Sequence, residues 1–467
     1  MAKVFLAFYN GIKGAEDSSA MPIFYEAFIK GLKDNGNDVF AVMHPTWNAD
    51  FIKDAIPEKL LEEIKEFNPD VIFLFNNNFY DLSEYFDCPI VVYEVDSPIY
   101  YRNKEALKAK PDRFNYFVAA SSSFDIIHNE LDAPKENIIQ VPFFTEVHAE
   151  DIEKKHNICF IGSKVYTSGK KCTNNFMELN PTDEERKEFL KLIETLQENV
   201  FISDEELLKN TTSEKILSTF SSQYLIHYLS DYKRTKVLSN IADLGIDIWG
   251  TPNWATETYN EPWLILNFHK GSVYSIKHNQ DIYNSSKIGI NIGHLQAKNG
   301  FPWRVFDIMA SNACLVTEYH GDFDKYLPNL KLPYYSNAWE AREVCKKLLE
   351  NENYRLDIVA QSQELINKNY RFKNLLNIME KYLGIALKLS GVGISRICNL
   401  DVYLPPPPPP KQVPPKPVQP KPKPVPSKPK PVELTRVQIK KLSLKNKIRY
   451  KIWRHYDKML KKRGIIK

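Results

Sequence analysis

Cysteine is scarce in this chain, and the patterns that would give it a role are missing. The 467 residues hold six: Cys88, Cys159, Cys172, Cys314, Cys345 and Cys398. None forms a CxxC pair and no histidine cluster accompanies them, so their spacing spells neither a zinc ribbon nor a dithiol redox centre. Several sit in apolar runs, as in Asn157-Ile158-Cys159-Phe160-Ile161. The expectation is reduced, buried thiols in a cytosolic protein. Long apolar runs are missing too: no stretch approaches the ~18 residues of a membrane-crossing helix. The first residues lead straight into a strand-like segment, Lys3 to Tyr9, with no basic start and no small-residue cleavage pattern. The expected location is therefore the cytoplasm.

Net charge is low, +4, but it conceals a split. From Pro405 onward there are 19 Lys and Arg against Glu433 and Asp457, a net +17. The rest of the chain carries 43 Lys and Arg against 56 acids, a net −13. An acidic body and a basic tail meet different partners. Half of the 30 prolines fall within Pro405–Pro431. That composition cannot pack a core and favours polyproline II, a semi-rigid spacer reaching on the order of 80 Å at ~3.1 Å per residue. Beyond it, Leu444, Ile448, Ile452, Tyr456 and Met459-Leu460 recur at helical spacing among Lys and Arg, with Trp453 flanking the stripe.

The body reads as two alternations of strand and helix. In residues 1–145 the expected strands are Val4–Tyr9, Val39–Met43, Val71–Phe75, Ile90–Glu94, Tyr116–Ala119 and Ile138–Val141. Expected helices are Ala20–Asp34, Pro57–Phe67 and Phe124–Leu131. After an acidic junction at Pro142–His156, the pattern restarts over 157–382. Strands are expected at Ile158–Ile161, Ile246–Trp249, Lys287–Ile292 and Cys314–Thr317. Helices are expected at Val237–Leu244, His278–Ser285, Arg304–Ser311, Trp339–Glu350 and Tyr354–Tyr382, with a helical insertion over about 181–230. Continuous Val, Ile and Phe runs imply strands buried on both faces, hence parallel doubly wound sheets. The fold class is α/β: two facing Rossmann-like domains, then a connecting segment at 383–404, the Pro-rich linker at 405–431 and a basic amphipathic helix at 432–467. Ligands of such sheets bind beyond the C-terminal ends of the strands.

The most informative stretch runs from Gly271 to Lys325. It reads Gly271-Ser-Val-Tyr274, then Asp281-Ile-Tyr-Asn-Ser-Ser-Lys-Ile-Gly-Ile-Asn291-Ile292, then Phe301-Pro302-Trp303-Arg304-Val-Phe-Asp307, then Cys314-Leu-Val-Thr-Glu-Tyr319. With Phe160-Ile161-Gly162-Ser163, it resembles the spore-maturation-type (CgeB-like) group 1 glycosyltransferases over about residues 157–380. In the first domain only Tyr93-Glu-Val-Asp96-Ser97-Pro98 is similar to a motif of that family. The resemblance implies a GT-B fold, a donor site for a nucleotide-sugar in the second domain, and an acceptor side in the first. Where that family has Glu, this chain has Asp307, a methylene shorter.

The residue chemistry is consistent with such a site. Arg304 in the first turn of a helix, beside backbone amides, can clamp a diphosphate. Asp307, one turn on, can accept ribose hydroxyls. Gly162 at a strand end would let phosphate approach the backbone, with Ser163 and Lys164 adding a hydroxyl and a charge. Tyr274 sits where the resembled family's base-binding loop begins, and His294 and Lys298 lie in the loop before the Pro-Trp-Arg turn, where an approach to the donor is expected. Each has a plainer alternative: helix-start favouring charges, a tight turn, packing, or a solvated lysine. Asp96, at a strand's C-terminal end, is the candidate general base; its alternative is an Asp that opens a proline turn. Asn10, Gly11 and Gly14 form the first strand-to-helix loop, on the acceptor side, and their spacing is not GxGxxG. Asp322-Phe323-Asp324 has the letters of a metal-binding DxD but corresponds to a surface turn in the resembled family, so no metal and no other cofactor is expected.

The expected function is sugar transfer from a nucleotide-sugar to a glycan or lipid-linked acceptor in cell-surface polysaccharide or glycoconjugate synthesis. The alternatives are a nucleotide-sugar epimerase of the same fold, or a binding protein without catalysis. The basic tail is expected to hold the enzyme at an anionic membrane surface, at the inner face of the cell membrane, and no nucleic-acid partner is expected. A solvated tail, a nucleic-acid-binding tail and a helix docked on its own acidic body are the other readings of the same charge.

Overall fold

In the computed structural model the described residues are 1–404, except 10–20, 45–55, 77–78, 102–103, 165–168, 200–201, 203, 221–222, 257, 259–260, 270, 272, 274 and 297–298. The Pro-rich linker and the basic helix expected at 405–467 lie outside the described residues, as does the loop of Asn10, Gly11 and Gly14. Thirteen strands are described: β1 (Lys3–Tyr9), β2 (Asp38–His44), β3 (Val71–Phe75), β4 (Ile90–Tyr93), β5 (Phe114–Val118), β6 (Ile138–Gln140), β7 (His156–Ile161), β8 (Ile246–Trp249), β9 (Phe268–His269), β10 (Ser286–Asn291), β11 (Cys314–Glu318), β12 (Tyr334–Tyr335) and β13 (Ser395–Asn399). They form two sheets, ordered β13-β2-β1-β3-β4-β5-β6 and β12-β11-β10-β7-β8-β9. Every pairing is parallel. The central strands are the apolar runs of the sequence, and Val71–Phe75 and Ile90–Tyr93 are buried at every position.

Three strands were not expected. β9 and β12 have two residues each and no apolar run to announce them. β13 falls in the segment 383–404, read above as a connection; the chain instead returns to the first sheet and adds an edge strand against β2. The long helix expected at Tyr354–Tyr382 is two helices, Glu352–Asn369 and Phe372–Leu383. No Gly or Pro marks the break. It is set by Arg371, whose Nη1 donates to the carbonyls of Thr145 (2.9 Å) and Val147 (2.6 Å). The helical insertion is longer than 181–230, with helices from Gly169 to Asn240. Its last, Gln223–Asn240, takes in the first half of the helix expected at Val237–Leu244, and a short turn ends at Gly245 with φ +85°. Among the described residues no helix is long and apolar enough to cross a membrane. The free thiols Cys159, Cys314 and Cys345 are buried, and burial pushes each up to about 12.

The sheets are joined through an aromatic seam. Phe24 of the helix Ile23–Asp34 stacks on Trp303 at 5.4 Å, and Phe143 meets the same indole edge-on at 6.2 Å. Phe372 packs edge-on against Phe28 and Phe144 at 5.4 and 5.0 Å. Such pairs contribute about 0.5–1.5 kcal/mol each beyond their burial. The ring of Phe372 lies where a Cβ on Gly31 would sit. Two effects oppose each other in Gly31→Ala: helix propensity favours alanine by about 1 kcal/mol, and overpacking costs about 1–3 kcal/mol. Because the clash is with a ring held on two sides, overpacking wins, and the urea midpoint falls. A raised midpoint would contradict this packing.

Candidate functional site

The strand ends of the second sheet carry the site. β7 stops at Ile161, and Gly162 follows with its N–H on Trp249 O (2.9 Å) and its carbonyl accepting from Trp254 Nε1 (2.8 Å). Above it lies the guanidinium of Arg304, 5.8 Å from the centroid of the Phe160 ring. A Cβ on Gly162 would come within 2.9 Å of Arg304 Nη1. The glycine is therefore required by close approach rather than by a turn. Arg304 Nη1 is buried and has no hydrogen-bond partner. Burial lowers the Arg304 pKa, and Tyr283, Asp307 and Tyr335 oppose that shift.

A second guanidinium faces the first. Arg234, 4% exposed, donates from Nη1 to the carbonyl of Ser163, and its Nε is buried without a partner. Burial brings it down to about 10, with the neighbouring Arg304 as the next cause. Two like charges held together with unsatisfied donors are costly: a buried unpaired donor loses about 1–3 kcal/mol, more when charged. Nearby anions are already engaged. Glu318 takes Lys233 Nζ (2.7 Å) on one oxygen and Gly293 N (2.6 Å) on the other. Asp231 lies 3.9 Å from Lys164 Nζ. At the same strand ends, His320 Nε2 is also buried without a partner. The arrangement leaves nitrogens without partners beside the strand ends, a deficit that an anion with several oxygens would remove.

Asp96 lies across from this cluster, at the C-terminal end of β4. Asn76 Nδ2 donates to its Oδ2 (3.0 Å), and Gln296 Nε2, from the second half of the molecule, donates to its Oδ1 (3.2 Å). Burial raises its pKa; the bonds from Gln296 and Asn76 oppose the rise. His227 is its electrostatic neighbour, stacked on Tyr100 at 5.6 Å and 3.1 Å from His294 Nε2 through Nδ1. Burial lowers His294 well below the usual histidine range, and Arg234 lowers it further. Asp96, His227, His294 and the two arginines thus form one continuous polar wall. Neighbouring Glu94 belongs to the fold: its carboxylate accepts from Ala119 N (2.7 Å), Ala120 N (3.3 Å) and Ser123 Oγ, anchoring the helix Ser121–Leu131.

Two of the expected donor residues are engaged within the fold. Asp307 does not present a carboxylate to the strand ends: Oδ1 accepts from Thr145 Oγ1 (2.6 Å) and Oδ2 from Asn279 Nδ2 (3.0 Å), inside a 4% exposed side chain. One turn from Arg304, it latches the Arg304 helix to the segment joining the two sheets. Lys164 is buried as well, with Nζ on Thr235 Oγ1 (3.2 Å) and near Asp231, so its charge is spent inside the fold. Ser163 contributes its carbonyl to Arg234. Tyr274 and Lys298 lie outside the described residues. The acids of Asp322-Phe323-Asp324 diverge: Asp322 Oδ2 accepts from Ser121 N (2.8 Å) and Gln140 Nε2 (3.1 Å) of the first half, and Asp324 Oδ2 from Tyr319 OH (2.7 Å).

Arg234, Glu318 and His227 went unnoticed in the sequence. A signal existed for Arg234, which stands in register with Val237, Leu238 and Ile241, all fully buried. A charge on the apolar stripe of a helix is either paired or waiting for a partner.

Residues 234–381 match the family model described as glycosyl transferase-like. No curated relative matches. Solved structures of similar fold include Anabaena Alr3699/HepE in complex with UDP and glucose (9% identity, 83% of this chain, 100% of that chain, TM-score 0.45). WaaG, a glycosyltransferase involved in lipopolysaccharide biosynthesis, matches at 8% identity, 82% and 100% coverage and TM-score 0.47. A glycosyltransferase from Rickettsia africae matches at 12%, 82% and 99%, with TM-score 0.45.

The Asp307 latch has a pH signature. Burial lifts its pKa from 3.8 to about 6, against the bonds from Thr145 and Asn279 and the charge of Arg304. The folded state holds the proton more tightly than the unfolded chain. This contribution is full below pH ~4 and is lost as pH rises through about 6, on the order of 3 kcal/mol at most. In urea titrations from pH 4 to 7, the stability of wild type relative to Asp307→Asn should decline. A constant difference would show that Asp307 ionises as freely folded as unfolded.

Proposed function

We propose that this protein is a metal-independent glycosyltransferase of the GT-B type, related to the spore-maturation (CgeB-like) group. It moves a sugar from a nucleotide-sugar to a glycan or lipid-linked acceptor. The observation that carries the reading is the pair of buried guanidiniums, Arg234 and Arg304, with unpaired nitrogens at the end of β7 beside Gly162. A nucleoside diphosphate supplies what they lack: two adjoining phosphates with oxygens enough for both forks. As the bond between the sugar's anomeric carbon and the diphosphate oxygen breaks, negative charge builds on that oxygen. Fixed cations in a site of low dielectric stabilise it there, which is the task a metal ion performs elsewhere. His320, kept neutral by burial, offers its unpartnered Nε2 without adding charge.

Asp96 is the proposed base. Its raised pKa makes it a better proton acceptor than an exposed aspartate, and Asn76 and Gln296 fix its orientation. The acceptor hydroxyl would attack the anomeric carbon as its proton passes to Asp96. The basic segment 432–467 would hold the enzyme against an anionic membrane face, bringing the site to lipid-linked acceptors at raised local concentration. Deleting 432–467 should then abolish co-sedimentation with phosphatidylserine-containing vesicles, whereas unchanged sedimentation would remove the anchor from this account.

Replacing the site's groups separates binding from chemistry. Arg234→Ala and Arg304→Ala should each weaken nucleoside diphosphate binding by calorimetry by about 2–5 kcal/mol, roughly thirtyfold to several thousandfold. Asp96→Asn should leave that binding unchanged and lower turnover by about 10²–10⁴-fold. If both arginine variants bind nucleoside diphosphates like wild type, the phosphate site lies elsewhere.

A further inference from the structure

Away from this wall, two histidines and an aspartate converge at the edge of the second sheet, and no step proposed above uses them. His156 is the first residue of β7, Asp247 the second of β8 and His269 the last of β9. Asp247 is held on both sides: Oδ2 lies 2.8 Å from His156 Nδ1 and Oδ1 2.6 Å from His269 Nε2. One donor atom from each residue falls within 4.8 Å of the other two. Trp249 orients both rings, stacking on His269 at 4.3 Å and 7° and meeting His156 edge-on at 5.1 Å and 86°. The side chains are partly open to solvent, at 18%, 26% and 41% for His156, Asp247 and His269.

We propose that His156, Asp247 and His269 bind a divalent transition-metal ion of the zinc class. Two imidazoles and one carboxylate are a ligand set this class takes, with water completing a tetrahedron from the exposed side. With metal–ligand bonds of about 2.0–2.1 Å, tetrahedral ligand atoms stand about 3.3 Å apart. The contacts here open by roughly half an ångström to reach that spacing. The three residues come from three adjacent parallel strands, in which Cys159 stands opposite Asp247 and Trp249 opposite His269. Three ligands on three neighbouring strands are positioned by ladder hydrogen bonds rather than by loops.

The chemistry of the site is structural. A metal there would staple the two-residue edge strand β9 to the sheet. β9 precedes the helix Ile276–Asn284, whose Asn279 holds Asp307. The proposal is independent of the sugar-transfer reading, because its ligands are distinct from the groups assigned to donor and acceptor.

The test uses untagged full-length protein freed of metal with a chelator. Co(II) should bind at one per chain, give visible d–d bands of a nitrogen- and oxygen-ligated tetrahedral site, and be displaced by equimolar Zn(II). Zn(II) should raise the melting temperature by several degrees. His269→Ala, at the exposed edge, should weaken Co(II) binding at least tenfold and abolish the thermal shift. Its metal-free melt should remain close to metal-free wild type, which separates lost ligation from lost folding. Asp247→Asn, which keeps the size of the side chain, should behave alike. Absence of Co(II) binding by wild type at micromolar metal would overturn the proposal. Binding and bands unchanged in both variants would do the same, leaving the cluster as a hydrogen-bonded triad.

Discussion

Burying two guanidiniums side by side opposes folding, and much of the second sheet's upper edge can be understood as the means of tolerating it. Both have lost water, which lowers both pKa values, and the charge of Arg304 lowers that of Arg234 further. The offsets are local. Arg304 lies over the face of Phe160, Arg234 is tied to the Ser163 carbonyl, and Asp231 and Glu318 add negative charge nearby. These offsets leave one nitrogen on each arginine unpaired. The remaining deficit is what an anionic ligand would remove, so the same strain that costs stability gives affinity. Gly162 is part of that arrangement, since a Cβ there would collide with the Phe160 ring and crowd Arg304 Nη1.

The pair is also connected to the rest of the molecule. The helix that begins at Arg304 carries Asp307 to Thr145, in the crossover between the sheets, and Arg371 holds the same crossover by the carbonyls of Thr145 and Val147. Trp303, immediately before Arg304, stacks on Phe24 of the first half. A shift of Arg304 toward a ligand would therefore be felt at the aromatic seam and at the crossover. On the opposite side, Gln296 to Asp96 and Asp322 to Ser121 and Gln140 join the halves directly. The groups proposed for donor and acceptor are thus brought together by contacts that cross between the two sheets.

The central architecture was legible because parallel strands buried on both faces leave uninterrupted apolar runs, and ten of the thirteen strands lie where such runs fall. β13 was not legible: Ser395-Arg396-Ile397-Cys398-Asn399 is an edge strand open to solvent, and its pairing with β2 spans most of the chain. The break at Tyr370-Arg371 escaped notice because a side-chain bond to a distant crossover makes it, without a local Gly or Pro. In the site, Arg304 was visible from its place at a helix start. Arg234 was not, because it lies where the helical insertion merges into the donor half. Asp307 shows the limit of reading a role from sequence position: the residue stands where a ribose ligand was expected, and its carboxylate is bonded to Thr145 and Asn279.

The central claim is that two buried arginines await a diphosphate, and phosphate count tests it most directly. A thermal-shift screen of full-length protein with UDP-, GDP- and dTDP-sugars beside CMP-sugars offers two phosphates in one group and a single phosphate in the other. The account predicts that at least one diphosphate donor raises the melting temperature markedly, while CMP-sugars leave it near the unliganded value. No shift with any diphosphate donor, or an equal shift with the monophosphate sugars, would contradict it.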